Sequence, residues 1–397
     1  MNQVNKNSNH VSAELPYTGL TVLELGHSVA APFAGQVLAD LGARVIKVEK
    51  PEGDDARKWG PPFVDDTSAV FQSLNRNKES VVCHLRETGQ VEALRQFIVS
   101  EVDVVLQNLR PGQVDQLGLG AKALRDLKSS LIYCNMGAFG RSGPLKDQPG
   151  YDPLMQAFSG IMSSTGEADR PSVRVAPSIV DMGTGMWAVI AIQGAIYRHK
   201  LTGEGSVIDV SLFETAATWM SILAAQAAVT GEAPARCGSG APSIVPYKAY
   251  RTQDGEVVVA AGSDGLFRRL ATVLGHAEWV SDPRFADNPA RVQNQAALYA
   301  MLDAIFLQRK TSEWIEIMDE AGIPASPVNS VVEMLRHPQT AALDLIQNLP
   351  GASSVVLGLP VSYDGRRPVP RSASPALGAD TETILGAYMR KNIVCEE

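Results

Sequence analysis

Apolar and polar positions alternate between two patterns along the first half of the chain. Leu20–Leu25 is a short, nearly continuous apolar run that reads as a buried strand, Phe33–Leu41 carries a helical period stopped by Gly42, and Arg44–Val48 reads as a second strand. That is a βαβ unit. The alternation continues with a helix over about Gly89–Ser100, a strand at Val102–Leu106, a helix at Ala121–Leu127 and a strand at Leu131–Cys134. Strands separated by helices of this length predict an α/β architecture: a large Rossmann-like domain with a mostly parallel sheet and helices on both faces.

Beyond residue 180 a long apolar helix is expected to begin at about Met182, followed by a turn at Thr202–Gly205, a strand at Val207–Val210 and an Ala-rich helix over about Phe213–Val229. The Pro- and Gly-containing stretch Pro234–Pro246 then breaks the pattern and predicts a crossing into a smaller α+β domain. That domain opens with a hairpin, Tyr247–Arg251 and Glu256–Ala261 around Gln253-Asp254-Gly255, and continues with helices at about Leu266–Leu274, Arg291–Leu307 and Thr311–Ala321 before an extended segment at Pro324–Val328. The expected division is a tail over 1–17, a large domain over 18–232, a linker over 233–246, a small domain over 247–330, and a return over 331–397. The return ends in an amphipathic helix, begun by Asp380-Thr381, that docks on the large domain.

Composition narrows the function classes. The 397 residues are 45% hydrophobic and 20% charged, with a formal net charge of −8 and no Lys/Arg-rich block, so neither nucleic acid nor a membrane surface is expected as the main partner. The apolar runs Met186–Ile196 and Ile222–Val229 are short for a bilayer span, and Met1–Pro16 lacks the apolar core of a signal peptide. Cys83, Cys134, Cys237 and Cys395 stand apart from one another and from any histidine in ligand spacing; neither a metal site nor a disulfide framework is indicated, and a reducing cytoplasm is expected. Phosphate loops of the Gly-x-Gly-x-x-Gly or Gly-x4-Gly-Lys-Ser/Thr kind are absent, as is a Gly-x-Ser-x-Gly elbow.

The candidate chemistry lies at 150–185. Asp181 follows an apolar pair and precedes Met-Gly-Thr-Gly185, so it is expected as the cap of the long helix, where free amides and the helix dipole would hold its carboxyl below the usual value of about 3.9. Such a carboxylate serves either as a cap alone or as a nucleophile. The turn Gly26–Pro32 after the first strand suits packing or a phosphate held on backbone amides. Lys50, Lys78 and Arg86 are either solvated surface or partners for phosphate.

Gly150-Tyr-Asp-x3-Gln-Ala-Phe-Ser-Gly160, Asp181-Met-Gly-Thr-Gly185 and Leu201-Thr-Gly-Glu-Gly-Ser-Val-Ile-Asp-Val-Ser-Leu-Phe-Glu214 together resemble the class III CoA-transferase family, which includes formyl-CoA transferase and α-methylacyl-CoA racemase. The resemblance runs from about Leu20 to the C-terminal helix. It implies a CoA-transferase without cofactor beyond its coenzyme A thioester substrate, acting on an acyl-CoA and a small carboxylic acid, with Asp181 as nucleophile and backbone amides near Gly183–Gly185 receiving the oxyanion. It also implies an open ring-like protomer interlocked with a second copy as a homodimer. By the same resemblance His27, Val29 and Ala30 line the CoA channel, Lys50, Lys78 and Arg86 lie near its nucleotide end, and Asn108-Leu109-Arg110 touches the CoA, with Leu109 replacing an aromatic. Tyr151 and Asp152 would flank the reacting acyl group. In the racemase branch the position of Tyr151 is a histidine that shares acid/base work with the aspartate, a task for which a phenol is a poor match at neutral pH.

The short Gly238-Ser239-Gly240 loop stands where formyl-CoA transferase has a longer glycine lid, and Arg174, Lys248 and Arg251 are candidate partners for a distal acceptor carboxylate. The preferred reaction is transfer of CoA from an acyl-CoA such as succinyl-CoA to a small dicarboxylate. The alternatives are a 2-methylacyl-CoA racemase and a CoA-binding subunit without chemistry.

Overall fold

The computed structural model describes residues 15–393, and side chains to residue 390. Six strands form one parallel sheet: β1 Thr21–Leu25, β2 Arg44–Glu49, β3 Lys78–Val82, β4 Val104–Gln107, β5 Ile132–Gly137 and β6 Val207–Ser211. Their spatial order is β3-β2-β1-β4-β5-β6, the doubly wound order in which connections leave in opposite directions from β1 and β4. The crevice between the carboxyl ends of those two strands is where such sheets bind ligands.

The helices of this part are α1 Ala30–Asp40, α2 Thr88–Glu101, α3 Ala121–Leu127, α4 Asp152–Phe158, α5 Ile179–Thr202 and α6 Leu212–Trp219. One core joins Leu23, Ile46, Val81, Leu94, Ile98, Val105 and Tyr133, and the C-terminal helix Thr381–Ile393 closes it through Ile384 and Leu385. Asp380 receives the Ser80 amide and Thr381 Oγ1 the Val82 amide, so the expected docking of that helix is secured by side chains that begin it.

Several expectations shift. The expected tail falls outside the described residues as far as residue 14; Tyr17, at its far end, is buried and donates its amide to Leu41 O at 2.9 Å. Cys395 also lies outside them. Strand β3 was not expected, because Glu79 and Ser80 interrupt its apolar pattern; Ser80 is wholly buried and donates to Glu49 Oε1. The long apolar helix α5 has 24 residues and is long and apolar enough to cross a membrane by length and composition, against the reading from its apolar run alone, because Ile179–Gly185, with one charge, extends that run on its N-terminal side. In this fold it packs on α1, α6, β5 and β6.

Contacts divide the chain into two units. The first comprises residues to Ser159, Ala176–Trp219 and Pro338 onward; the second comprises Gly160–Val175 and Met220–His337. The expected division followed the composition shift at 233–246. Side-chain bonds explain the different grouping: the Arg236 guanidinium donates to the carbonyls of Glu167, Ala168 and Arg170, which ties the 160–175 segment to that stretch. The helix expected over Phe213–Val229 is two helices, α6 and α7 Ser221–Thr230, separated at Met220.

The second unit holds the expected hairpin, β7 Tyr247–Arg251 and β8 Glu256–Ala260, with β9 Ala325–Pro327 completing an antiparallel sheet. Arg291 is its buried keystone, donating to the carbonyls of Val245, Phe285 and Gly262 and pairing with Asp264. The helix expected over Arg291–Leu307 breaks at Asn294, whose side chain returns to Ala290 O.

Candidate active site

The turn after β1 forms one wall of the site. Gly26 is required there, since an added Cβ would lie 2.6 Å from Ala31 Cβ. Ser28 takes φ 69°, in the left-handed region that serine rarely occupies. His27 is tied to β4 by Asn108, whose side chain accepts the His27 amide at 3.0 Å and donates to the His27 carbonyl at 2.9 Å. The turn runs into α1, whose first residues have no side-chain cap.

Asp181 faces this wall from α5. The helix starts at Ile179, three residues earlier than expected, so Asp181 is in its first turn and is not its cap. Ser178, in the cap position, makes no capping bond; Asp152 of α4 does the work instead, its Oδ2 accepting the amides of Val180 at 2.8 Å and Asp181 at 3.3 Å. Gln156 donates to its other oxygen at 2.6 Å. Burial, with the Asp152 charge beside it, raises the Asp181 carboxyl to about 7. The expected lowering is thereby reversed: the free amides of the helix end are spent on Asp152, and what reaches Asp181 is that residue's negative charge and the loss of water. Among the described residues no hydrogen bond or ion pair meets the Asp181 carboxyl.

Gly183–Gly185 cannot receive an oxyanion, because as the fifth to seventh residues of α5 their amides belong to the helix's own ladder. The two glycines serve packing. An added Cβ at Gly185 would lie 2.8 Å from Ala30 O and from Phe33 Cδ1, and one at Gly183 would lie 2.8 Å from Trp219 Nε1. They let α5 approach α1 and α6 closely enough to bring Asp181 to the turn.

A cavity of about 410 Å3 lies between these elements, lined by His27, Ser28, Val29, Ala30, Asn108, Leu109, Arg110, Gly137, Tyr151 and Asp181 among others. The structure thus brings together His27, Val29, Ala30, Asn108, Leu109, Arg110, Tyr151 and Asp181. A second cavity, of about 210 Å3, shares His27, Asp55 and Leu109 with the first and adds an apolar slot of Leu25, Val48, Cys83 and Leu85, with Lys50 at its edge. Lys50 is exposed and donates to Asp55 at 2.7 Å.

Other candidates fall elsewhere. Asp152 is buried beneath the site as the cap described above. Arg86 sits in an exposed turn and lines neither cavity. Lys78 is no surface cation: it is buried and donates to Glu24 Oε2 at 2.7 Å, Pro32 O at 2.8 Å and Asn75 Oδ1 at 2.9 Å. Burial, opposed by Glu24, lowers its ammonium to about 8. Arg174, Lys248, Arg251 and the Gly238–Gly240 loop belong to the second unit, where Lys248 is paired with Asp303 at 2.9 Å.

Sequence reasoning missed a buried ion cluster under the turn. Lys47 Nζ contacts Glu24 Oε1 at 3.0 Å, Asp54 Oδ2 at 2.9 Å and Gly26 O at 2.7 Å. Burial alone would lower the Lys47 ammonium; Glu24, Asp54 and Glu49 outweigh it and raise it. A signal was present: charged residues stand inside the apolar runs of both β1 and β2, and Glu24 and Lys47 are partners in the parallel register.

Comparison with known proteins gives a consistent result. A family model for CoA-transferase family III matches residues 17–381. The chain is 37% identical over 385 residues to the acetyl-CoA:oxalate CoA-transferase of Acetobacter aceti, covering 96% of this chain and 97% of that one. It is 37% identical over 349 residues to the succinate–glutarate CoA-transferase of Agrobacterium fabrum, covering 86% and 87%. A crystal structure of a CAIB/BAIF family protein from Brucella suis superposes with a TM-score of 0.85 at 37% identity, over 94% of this chain and all of that one.

Proposed function

Since the chain belongs to CoA-transferase family III and is an enzyme of that class, acting on an acyl-CoA and a carboxylic acid, we propose that the Asp181 carboxylate is the nucleophile that carries the acyl group and then CoA between them. The observation that carries this reading is Asp181 itself: a carboxyl without a partner among the described residues, in a cavity walled by the uncapped first turn of α1.

In the forward half-reaction Asp181 attacks the thioester carbonyl of the donor, the C–S bond breaks, and a mixed anhydride and CoA thiolate form. The thiolate attacks the aspartyl carbonyl of the anhydride, releasing the donor acid and leaving an aspartyl-CoA thioester. The acceptor carboxylate attacks that thioester and expels the thiolate, which then attacks the acceptor carbonyl of the new anhydride. The new acyl-CoA departs and Asp181 is regenerated. Each step exchanges one acyl bond for another, and the chain's task is positioning, charge stabilisation and exclusion of water.

The first amides of α1, lacking intrahelical acceptors, take the oxyanion role that Gly183–Gly185 cannot. The apolar slot of Leu25, Val48, Cys83 and Leu85, edged by Lys50, suits the nucleotide end of CoA. For the acceptor we favour a small dicarboxylate and for the donor succinyl-CoA, as the names of the similar transferases suggest. Among the described residues Arg110 is the one Lys or Arg on the cavity wall and the natural partner for a second carboxylate.

An uncovered apolar stripe along α5, with Met186 50%, Ile190 52%, Tyr197 67% and Leu201 70% exposed, supports a homodimer. Buried free thiols at Cys83 and Cys134 agree with a reducing cytoplasm.

The test is an exchange assay. Incubation with succinyl-CoA and a panel of oxalate, glutarate, mesaconate, itaconate, citramalate and monocarboxylates should yield a new acyl-CoA, resolved by mass, for one or more dicarboxylates. Exchange confined to monocarboxylates would refute the acceptor class.

A further inference from the structure

The wall facing Asp181 is held by side chains at five of its backbone groups. Gly26 O accepts from Lys47 at 2.7 Å, the Ser28 amide donates to Asp54 Oδ1 at 3.2 Å, and Pro32 O accepts from Lys78 at 2.8 Å. Asn108 holds both the amide and the carbonyl of His27. The clamps come from separate elements: Lys47 from β2, Asp54 from the loop after it, Lys78 from β3 and Asn108 from the end of β4.

The cations are themselves fixed. Glu24 lies between Lys47 and Lys78, one oxygen on each, and all three side chains are fully buried. Asp54 Oδ1 also accepts the Ala56 amide at 2.9 Å, and its own amide donates to Glu49, so the loop that carries it is braced. The space is closed as well: an added Cβ on Gly35 of α1 would lie against Glu24.

This arrangement answers the conformation of Ser28. A serine with positive φ persists where its surroundings over-determine the backbone. Here they do, on both sides of the crevice between β1 and β4, where the sheet's connections diverge. Both polar atoms of the Asn108 amide are engaged with His27, which leaves the side chain to act on the ligand through the turn.

We propose that Asn108 and Asp54, backed by the Lys47–Glu24–Lys78 cluster, are positioning residues that lock the Gly26–Pro32 turn against the Asp181 cavity, so that a bound thioester is presented to the carboxylate. The proposal rests on Asp181 as nucleophile. It assigns Asn108 a role in rate rather than in the affinity for coenzyme A.

The decisive variant is Asn108→Ala, a half-exposed position whose loss the fold should tolerate. With full-length enzyme, coenzyme A affinity by calorimetry should stay within about threefold of wild type while kcat for exchange falls by about tenfold or more, the cost of a displaced reacting group. A loss of coenzyme A affinity that matches the loss of kcat/KM with kcat unchanged would make Asn108 a ligand contact and overturn the proposal, as would wild-type values of both. Asp54→Asn, which keeps an acceptor for the Ser28 amide, should retain more kcat than Asp54→Ala; equal losses would remove Asp54 from the proposal. If those variants do not fold, Asn108→Ala decides alone. A wild-type enzyme that forms no Asp181 adduct would sink the nucleophile assignment; an adduct formed as fast in Asn108→Ala as in wild type would sink the clamp alone.

Discussion

Asp152 Oδ2 caps the helix that carries Asp181, accepting the Asp181 amide at 3.3 Å and the Val180 amide at 2.8 Å. One carboxylate thus holds the backbone beneath another while opposing its ionisation. As the proposed nucleophile Asp181 must lose its proton to attack, so kcat/KM for the donor should rise with pH through about 7. Asp152→Asn removes the second cause of the raised value and should move the inflection to lower pH. A pH–rate profile from 5 to 9 checks both; an unmoved inflection would deny the coupling.

The same carboxyl should weaken the fold above neutrality. Its folded-state value lies above its unfolded one, so the native state binds the proton more tightly, and stability falls as pH rises from about 4 to about 7. Asp181→Asn should therefore raise the unfolding free energy measured in urea at pH 8, by no more than about 4 kcal/mol because the group reaches solvent. The gain should vanish near pH 4. A variant equally stabilised at both pH values would contradict the linkage.

The helix approach at Gly185 should be intolerant of one methyl group. Gly185→Ala places a carbon 2.8 Å from Ala30 O, which must yield by shifting α5 from α1. Overpacking of this kind costs about 1–3 kcal/mol, and thermal unfolding should show it with a loss of exchange activity. Undiminished stability and rate would mean that the helices part freely.

Lys50 and Arg86 should separate in a coenzyme A titration. Lys50 edges the slot assigned to the nucleotide and would exchange Asp55 for a phosphate; Lys50→Ala should weaken binding by about three- to tenfold at low salt, less at high salt. Arg86→Ala should leave affinity unchanged, since Arg86 lines neither cavity. The reverse order would relocate the nucleotide end.

Much of this was legible in the chain. The alternation of runs from Leu20 to Cys134 foretold the parallel sheet because strands buried on both faces must be apolar throughout. The motif around Asp181 marked that carboxylate as the candidate, the resemblance placed Val29 and Ala30 in a CoA channel and Tyr151 beside the acyl group, and all four line one cavity. What escaped depends on distant pairings. The capping of Val180 and Asp181 by Asp152 spans 28 and 29 residues, and no local pattern shows it. Lys78 read as either a surface cation or a phosphate partner, because Glu24 and Pro32, which bury it, are 54 and 46 positions away. Asp-x-Gly-x-Gly suggested free amides, whereas the glycines lie inside the helix and serve its contacts.

The most direct measurement is intact mass of the full-length enzyme quenched during turnover with succinyl-CoA, followed by hydroxylamine treatment and peptide mapping. A covalent acyl or CoA adduct is expected that hydroxylamine converts to a hydroxamate at Asp181 alone, absent from Asp181→Ala, which should still bind coenzyme A. Continued exchange of CoA between acids with no adduct at Asp181, or undiminished exchange by Asp181→Ala, would contradict Asp181 as the nucleophile.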